Sequence, residues 1–253
     1  MPRIYVFAFE ENVFHPSMFH GLLKKLGKAV IGGAIFSTPK NQRLFFKVKQ
    51  SLQIDGWIAV PLLVGHWLCH QKRCLLNVPP NYRTVEAVFR SHGIPIDRYH
   101  RPNDVACIDR IKRLNIDVVL NNQPWILHQG VLAAPQWGCL NRHTSMLPEY
   151  RGIEPVFHAL LNGDSEVGVS IHRMTEEIDA GEVYAQIVIK AGRSVYDCYK
   201  RAFAVGADLY FEAITNLGKN KPLLLANTVG TKYYKDPTRE EIELFRKKGL
   251  RYL

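Results

Sequence analysis

The chain has 253 residues, and a single hydrophobic core commonly serves up to roughly 250 residues, so one main domain is expected. Hydrophobic residues make up 47% and charged residues 22%, values that exclude a disordered or fibrous chain and favour a packed enzyme. The formal net charge of +10 favours anionic partners such as nucleotides, polyglutamyl tails or nucleic acid. Nucleic acid is the less favoured of these, because Lys and Arg are scattered, with only a mild cluster at 40–49.

Five cysteines form no paired framework, and no signal peptide precedes the first apolar run, so a reduced, cytoplasmic setting is expected. The longest apolar stretch, residues 58–69, contains Pro61, Gly65 and His66 and is too short for a bilayer core of roughly 30 Å. No membrane partner is therefore expected. A homodimer is left open.

The first part of the chain alternates between strand and helix patterns. Ile4–Phe9 is an apolar run of strand length, and apolar residues recur at helical spacing over Pro16–Leu26. Val30–Phe36 repeats the strand pattern and stops before a Ser-Thr-Pro sequence. Between 40 and 80 the pattern loosens into Trp- and Leu-rich amphipathic segments, which indicates an insertion or lid.

From residue 82 the alternation returns, with helices predicted near Val85–His92 and Asp104–Leu114 and strands near Ile94–Asp97 and Ile116–Leu120. Alternation of this kind implies a parallel sheet covered on both faces. The predicted fold class is α/β: a Rossmann-like, mostly parallel sheet with helices on both faces, plus a short C-terminal extension.

The texture changes after residue 138. The further elements are predicted as a strand end at 138–141, a helix over 155–162, strands over 168–174 and 182–189, a long helix over 195–217 closed by Gly218, and a charged helix after the Tyr-Tyr sequence at 233–234. We expect a catalytic domain over 1–190, with the insertion near 40–80. Residues 191–253 are expected to form a C-terminal helix and extension packed on the same domain.

Asn141 and His143 stand at a predicted strand end, before a loop that contains Pro148 and Gly152. Side chains two positions apart share one face of an extended chain, and open α/β sheets bind ligands at the carboxyl ends of their strands. An amide and an imidazole aimed there together suit oxyanion stabilisation and proton transfer. Downstream, Asp179 precedes Ala-Gly in a loop, and a carboxylate that reached His143 would favour the charged imidazole and fix its orientation.

These two segments resemble the signature of the 10-formyltetrahydrofolate-dependent formyltransferases, and the layout is closest to that of the small sugar N-formyltransferases. The family pattern is Asn-any-His-any-Ser-Leu-Leu-Pro, then an aromatic-Arg-Gly stretch, with an Asp-any-Gly loop downstream. Here it stands as Asn141, His143, Ser145, Met146, Leu147, Pro148, Tyr150-Arg151-Gly152 and Asp179-Ala180-Gly181, with Met146 in place of the first leucine. The resemblance spans about residues 85–190.

The resemblance implies that Asn141, His143 and Asp179 are catalytic and that His172 holds water near the aspartate. It also implies that 10-formyltetrahydrofolate is the co-substrate. Its pterin would lie against the backbone of one apolar stretch and against a later loop, which here are Pro124, Trp125, Ile126 and Leu127, and Met174, Thr175, Glu176, Glu177 and Ile178. Ser145, Tyr150 and Arg151 are candidates for supporting or substrate contacts. Ser145 can equally cap the loop backbone, and Arg151 can simply pair with a carboxylate.

The residues suit this chemistry in their own right. An amine that attacks the formyl carbon builds negative charge on the formyl oxygen, which Asn141 and a protonated His143 can bind. Asp179 can stabilise the cationic nitrogen and help to pass its proton to the departing folate nitrogen. No metal or covalent intermediate is required. The cluster His66, Cys69, His70 and Cys74 fits a buried amphipathic segment better than a zinc site.

The acceptor is a primary amine whose identity the residues only narrow. The purine-pathway branch of the family carries a glycine-rich phosphate turn after the first strand, where this chain has Glu10 and Glu11. The methionyl-tRNA branch adds a barrel domain, for which the roughly forty residues after the long helix are too few. We expect a small, anionic, nucleotide-linked amino sugar as acceptor. Methionyl-tRNA is the alternative, hydrolysis of formyltetrahydrofolate is the second alternative, and a non-catalytic folate binder is disfavoured because all three reactive residues are present.

Overall fold

The computed structural model describes residues 1–11, 13–36, 55–61, 84–225 and 231–253, together with positions 52, 64, 65, 68 and 82. The strands in these residues are β1 (Ile4–Phe9), β2 (Val30–Phe36), β3 (Ile96–Tyr99), β4 (Val118–Asn122), β5 (Cys139–His143), β6 (Arg151–Gly152), β7 (Glu166–Arg173), β8 (Val183–Lys190) and β9 (Tyr233–Tyr234). The α-helices are α1 (His15–Leu26), α2 (Val85–Ser91), α3 (Val105–Arg113), α4 (Gln129–Leu132), α5 (Pro155–Asn162), α6 (Val195–Gly218) and α7 (Arg239–Lys247).

The larger sheet has the strand order β3-β2-β1-β4-β5-β7-β8. Its strands are parallel from β3 to β5, whereas β7 and β8 are antiparallel to their neighbours. The chain builds outward from β1 to β3 on one side and then crosses to β4 and β5 on the other. Strand order therefore reverses between β1 and β4, the place where open α/β sheets bind ligands at their carboxyl ends. The predicted α/β class with a mostly parallel sheet is confirmed.

Both faces of the parallel strands are buried, which explains why β1 is a continuous apolar run. Ile4, Val6 and Ala8 pack with residues of α1 and α6, including Phe19 and Tyr210. The intervening Tyr5 and Phe7 pack on the other face, with Cys107 and Ile111 of α3 and Val131 of α4. Each fully buried large side chain of this kind stabilises the fold by roughly 1.5–3 kcal/mol.

Two carboxylates at the end of β1 close the N-termini of two helices. Glu11 accepts hydrogen bonds from three successive backbone N–H groups at the start of α1: Val13 at 2.9 Å and Phe14 at 2.7 Å, which precede the helix, and His15 at 3.0 Å, its first residue. Glu10 does the same for α2, accepting from Val85 at 3.1 Å and Glu86 at 3.0 Å. Negative charge at these ends also complements the helix dipoles.

The C-terminal segment packs against the loop that follows β5. β9 pairs in parallel with β6, and Ile153 N–H donates to Tyr234 O at 2.9 Å. In α7 a capping box joins Thr238 and Glu241, and Phe245 of α7 stacks on Phe157 of α5 with ring centroids 4.4 Å apart. Loop, strand and terminal helix thus support one another.

Two predicted strands begin later than expected, and both for the same reason. Gly93 (φ 66°) and Asn115 (φ 47°) adopt left-handed backbone after α2 and α3. The next residues, Ile94 and Ile116, then donate back to the last helical turn, at 2.9 and 3.3 Å, in the manner of a Schellman motif. The apolar residues expected to open β3 and β4 therefore cap helices.

A second correction concerns the long helix α6. Gly218 is its last helical residue, and the left-handed position that follows is Asn220, at φ 50°. The helix ends at Gly218, as the sequence predicts, but Gly218 is helical and does not supply the left-handed residue of the cap. Asn tolerates left-handed backbone because its short polar side chain bonds locally, so it can replace glycine here.

The described part of the chain contains neither a candidate membrane helix nor a candidate metal cluster. None of its helices combines the length and the apolarity that crossing a bilayer requires. These residues also hold no group of three or more His, Cys, Asp or Glu side chains arranged for a metal. The cluster His66, Cys69, His70 and Cys74 lies outside the described residues, as does most of the 40–80 segment.

Candidate active site

The carboxyl end of β5 carries the first two candidate residues. Asn141 pairs in register with Asn121 of β4 and with His172 of β7, and His143 pairs with Ser170. Because Leu140 packs under α6, strand alternation turns Asn141 and His143 to the opposite face. β5 and β7 are antiparallel, so the polar ends of these two strands lie beside each other.

Asp179 completes the group from the loop between β7 and β8. Its Oδ2 lies 3.5 Å from His143 Nδ1, and its Oδ1 lies 3.4 Å from His172 Nε2. Gly152 N–H donates to Oδ2 at 2.9 Å, and Asp179 itself has left-handed backbone at φ 52°. The structure therefore brings His143 and His172 to the Asp179 carboxylate, and Asn141 joins this group through its contact with His172.

Burial and neighbouring charge set the protonation states of the pair. Burial would raise the pKa of Asp179, but His143, His172 and the Gly152 N–H outweigh it and lower that pKa to about 2. Burial lowers the pKa of His143, and the Asp179 carboxylate and the Tyr150 carbonyl offset only part of the effect. At neutral pH the carboxylate is ionised and the imidazole is neutral.

This shift describes the protein without substrate, whereas the sequence-based expectation of a protonated His143 concerns the state that binds the formyl oxygen and stays a prediction. The carboxylate is where the motif places it, but the cost of burying an imidazolium is larger than the attraction between the two groups. His143 Nε2 lies 2.9 Å from Tyr150 O, and a carbonyl can only accept, so Nε2 carries the proton. The unprotonated Nδ1 then faces Asp179.

Asn141 is oriented by two neighbours. Its Oδ1 accepts from Asn121 Nδ2 at 3.3 Å, which turns its own NH₂ group toward His172 Nε2, 3.4 Å away. His172 Nδ1 in turn donates to Arg173 O at 3.0 Å. Gln123 fixes Asn121 by donating to its Oδ1 at 2.7 Å. The amide is held with one N–H donor directed into the polar group.

Three further candidate residues shape the loop after β5. Ser145 Oγ donates to Glu149 O at 2.7 Å, so it caps the loop backbone. The Tyr150 hydroxyl donates to Asp164 at 2.7 Å. Tyr150 contacts His143 through its backbone carbonyl instead. Arg151 pairs with Glu177 at 2.6 Å and donates to Ile178 O at 2.8 Å, and it thereby fastens the Asp179 loop to the β5 loop.

The two segments expected to hold the folate border the same cluster of apolar residues. Trp125, Leu127 and Met174 all pack with the cluster beneath α3 and α4. Next to them, Ile126 is 62% exposed and Ile178 is 38% exposed, leaving apolar side chains in contact with solvent. Pro124, Thr175, Glu176 and Glu177 are exposed as well. An aromatic ring system fits such a border of backbone and exposed isoleucine.

An apolar cavity of about 360 Å³ opens on the other side of Asp179. Its walls are Leu147, Pro148, residues 179–181, Val183 and residues 223–225. The three leucines of this wall are largely exposed, and Val183 N–H holds them in place by donating to Leu224 O at 2.9 Å. The sequence analysis missed this wall, although three successive leucines after a helix were a usable signal.

Asn121 and Arg142 were also missed. The polar run Asn121-Asn122-Gln123 directly after an apolar strand marks a strand end at the ligand edge, and it could have been found. Arg142 lies between two candidate residues and gives no signal of its own, because its importance depends on which groups pack against it.

The chain resembles known proteins in its sequence. The model of the formyl transferase family matches residues 83–214. The methionyl-tRNA formyltransferase of Agathobacter rectalis is 32% identical over 139 residues, which are 53% of this chain and 44% of that protein. The chain thus spans less than half the length of this curated relative.

Solved structures resemble the fold at low identity. Phosphoribosylglycinamide formyltransferase from Anaplasma phagocytophilum superposes with a TM-score of 0.60 at 17% identity, covering 94% of this chain and 96% of that one. WlaRD, a sugar 3N-formyl transferase solved in the presence of dTDP and 5-N-formyl-THF, gives 0.57 at 17% identity over 99% of this chain and 82% of its own. At such identities the likeness establishes the fold.

Proposed function

This chain belongs to the formyl transferase family, and on that premise we propose that it transfers a formyl group from 10-formyltetrahydrofolate to a primary amine. One observation carries the proposal: the Asp179 carboxylate lies 3.5 Å from His143 and 3.4 Å from His172, and His172 in turn contacts the amide of Asn141. An amide donor, a neutral imidazole and an ionised carboxylate are the groups that acyl transfer to an amine requires.

In the proposed reaction the amine attacks the formyl carbon, and the bond from that carbon to the folate nitrogen breaks. Asn141 donates its free N–H to the formyl oxygen as negative charge develops there. Asn121 and Gln123 hold the amide in place beforehand, so little reorganisation is needed at the moment of reaction. The oxyanion is thus stabilised by a prepared donor.

The attacking nitrogen becomes cationic and must lose a proton. His143 is suited to take it at Nδ1, because its Nε2 proton is already committed to Tyr150 O. The ionised Asp179, 3.5 Å from Nδ1, stabilises the imidazolium that results. The same proton then passes to the departing folate nitrogen, which returns His143 to its neutral state.

The folate is proposed to lie along residues 124–127 and 174–178. 10-Formyltetrahydrofolate supplies the formyl carbon when it is bound. Exposed Ile126 and Ile178 offer apolar contacts, and the pair Arg151–Glu177 keeps the second segment fixed relative to Asp179. These residues would orient the co-substrate and limit the access of water to the formyl carbon.

We propose a nucleotide-linked amino sugar as the acceptor. Glu11 fills the N-terminus of α1 with a carboxylate, so a phosphate group cannot bind at those N–H groups as it does in anion-binding helix termini. This argues against a phosphoribosyl acceptor at the end of β1. The charge of +10 favours an anionic acceptor, and a sugar 3N-formyl transferase shares the fold.

A methionyl-tRNA acceptor is the second candidate. The sequence similarity to methionyl-tRNA formyltransferases supports it, over 53% of the chain for the Agathobacter rectalis protein. A basic protein also suits a nucleic acid. The two candidates differ in the size of the acceptor, so a direct assay separates them.

The test is an assay of the full chain with 10-formyltetrahydrofolate and three additions: a nucleotide-linked amino sugar, methionyl-tRNA, or no acceptor. The expected result is the mass gain of one formyl group on the amino sugar. A gain on tRNA alone would transfer the proposal to the second candidate. Release of free formate at the same rate in all three samples would identify a hydrolase. Calorimetry with a stable folate analogue checks the co-substrate separately. No binding at millimolar folate would contradict the proposal.

A further inference from the structure

Arg142 lies between Asn141 and His143 but points to the opposite face of β5, toward α1 and α6. Its guanidinium carbon lies 3.8 Å from the centroid of the Phe203 ring, and one terminal nitrogen donates to Thr144 Oγ1 at 3.1 Å. Its stem packs against α6 at Gly206, where a Cβ would lie 3.4 Å from Arg142 Cδ. The side chain is therefore held in one place.

The aromatic group around this arginine extends to the end of β1. Phe203 stacks on Phe14 at 5.0 Å, with their planes 15° apart, and Phe14 contacts Tyr196 at 5.2 Å. Phe14 directly precedes α1, whose N-terminus is closed by Glu11. The cation thus lies between the ends of β1 and β5, at the carboxyl edge of the sheet.

The guanidinium of Arg142 has no carboxylate partner in the described part of the chain. Its Nε is buried and makes no hydrogen bond, and none of the ion pairs of these residues includes Arg142. Burial lowers its pKa, with only the phenols of Tyr210 and Tyr199 acting in the other direction. On the same face, at the end of β4, the buried side chain of Asn122 interacts with the Tyr210 phenol.

A desolvated cation without a counter-ion is costly, and it is kept where a ligand supplies the missing charge. Arg142 remains partly exposed as a whole residue, so a small group can reach it. Neighbouring Cα atoms are about 3.8 Å apart, so an acceptor that crosses the end of β5 can contact both faces of the strand.

We propose that Arg142 is a specificity-determining residue that binds the diphosphate of the acceptor while the acceptor's amine lies at Asn141 and His143. The identity of the acceptor in this inference rests on the proposed formyl transfer. The anion site itself does not depend on that proposal. A recessed guanidinium between an aromatic ring and a strand suits a small diphosphate better than the backbone of a folded RNA. The planar fork of arginine binds two phosphate oxygens at once.

The test compares wild type with Arg142→Met and Arg142→Lys, with Arg110→Met as the matched control. Arg110 lies on α3 and pairs with Asp97 at 2.9 Å, remote from β5 in the sheet order. Inorganic pyrophosphate and a nucleoside diphosphate are titrated into each full-length protein by calorimetry. We expect Arg142→Met to weaken binding roughly 10- to 100-fold, Arg142→Lys to weaken it less, and Arg110→Met to leave it unchanged.

Kinetics and thermal unfolding exclude a merely structural role. For a nucleotide-linked amino sugar, Arg142→Met should raise KM by the same factor with little change in kcat, and transfer to the same amino sugar without its nucleotide should be unaffected. Its melting temperature should equal or exceed that of wild type, because a buried unpaired charge is removed. Equal pyrophosphate affinity in wild type and Arg142→Met, or no affinity in wild type, would overturn the proposal.

Other outcomes are equally decisive. A lowered melting temperature with unchanged KM would make Arg142 a packing residue, and an effect confined to methionyl-tRNA would overturn the assignment to a small diphosphate. If wild type formylates none of the acceptors while pyrophosphate binding still depends on Arg142, the proposed function fails and the anion site stands.

Discussion

The ends of β1 and β5 lie on the same edge of the sheet but differ in how their charged groups are satisfied. At the end of β1, Glu10 and Glu11 use their carboxylates to bind the N–H groups of α2 and α1. At the end of β5, Arg142 has no carboxylate partner among the described residues, and His143 and His172 both lie beside the ionised Asp179. The end of β1 is closed by the protein's own carboxylates, and we propose that the end of β5 binds ligands.

The difference indicates which substitutions should affect stability and which should affect activity. Carboxylates that cap helices contribute to the folded state whether or not a ligand is present. Polar groups around Asp179 are costly to bury, and they are expected to contribute to the rate of the reaction instead of to the stability of the fold. Substitutions at the two ends should therefore separate the two properties, and the following predictions test that separation.

The largest effect is expected from Asn141→Ala. Loss of the donor to the developing oxyanion should lower kcat by roughly 10²- to 10³-fold, because it acts mainly in the transition state. The folate analogue should bind as it does to wild type, and the melting temperature should stay within a few degrees. A variant that keeps wild-type kcat would remove Asn141 from the mechanism.

Next is His143→Ala, which we expect to lower turnover by roughly 10²-fold or more, as removal of a general acid-base group does. Activity in wild type should also persist on the acid side to a pH below 6.5, the ordinary value for histidine, because burial lowers the pKa of His143. The measurement is kcat/KM against pH. An acid limb centred above 6.5 would contradict the neutral imidazole.

Glu11→Ala should reduce stability instead. Removing the carboxylate leaves the first N–H groups of α1 without their acceptor, at a cost of about 1–2 kcal/mol in the free energy of unfolding. Glu212→Ala on α6, where the residue is exposed, is the matched control and should change stability by at most about 0.5 kcal/mol. Denaturant titration measures both. Equal stability of the two variants would argue against the closed end of β1.

The smallest effect concerns the pH dependence of stability. The pKa of His143 is lower in the folded protein than its ordinary value of 6.5, so the unfolded chain binds the proton more readily. Wild type should therefore lose stability as pH falls below 6.5, by at most about 1.4 kcal/mol per pH unit for this one group. His143→Gln should remove that part of the slope, and identical slopes would contradict the direction of the shift.

Much of the fold follows from local patterns. The apolar runs of β1 and β2 and the proline-led helix α5 lie where the sequence predicts them, because each has a clear period and a clear stop. The starts of β3 and β4 were misplaced because Ile94 and Ile116 are apolar, as strand residues are, yet cap the preceding helices. The pattern of apolar residues does not distinguish the two uses.

The site divides in a similar way. The spacing of Asn141, His143 and Asp179 was readable from the motif, and the structure places them together. The lowered pKa of His143 was not readable, since it results from burial, which depends on how the folded chain packs around the ring. Arg142 gave no signal either, because an arginine on a strand becomes unusual only once Phe203 and Gly206 of α6 enclose it.

The most direct test of the central claim is a single-turnover measurement of formyl transfer from 10-formyltetrahydrofolate to a nucleotide-linked amino sugar, in wild type and in Asp179→Asn. Asparagine keeps the size of the side chain and removes the charge between His143 and His172. We predict transfer in wild type and a rate lower by roughly 10²-fold or more in the variant, with unchanged folate binding. Equal rates in the two proteins would contradict the account.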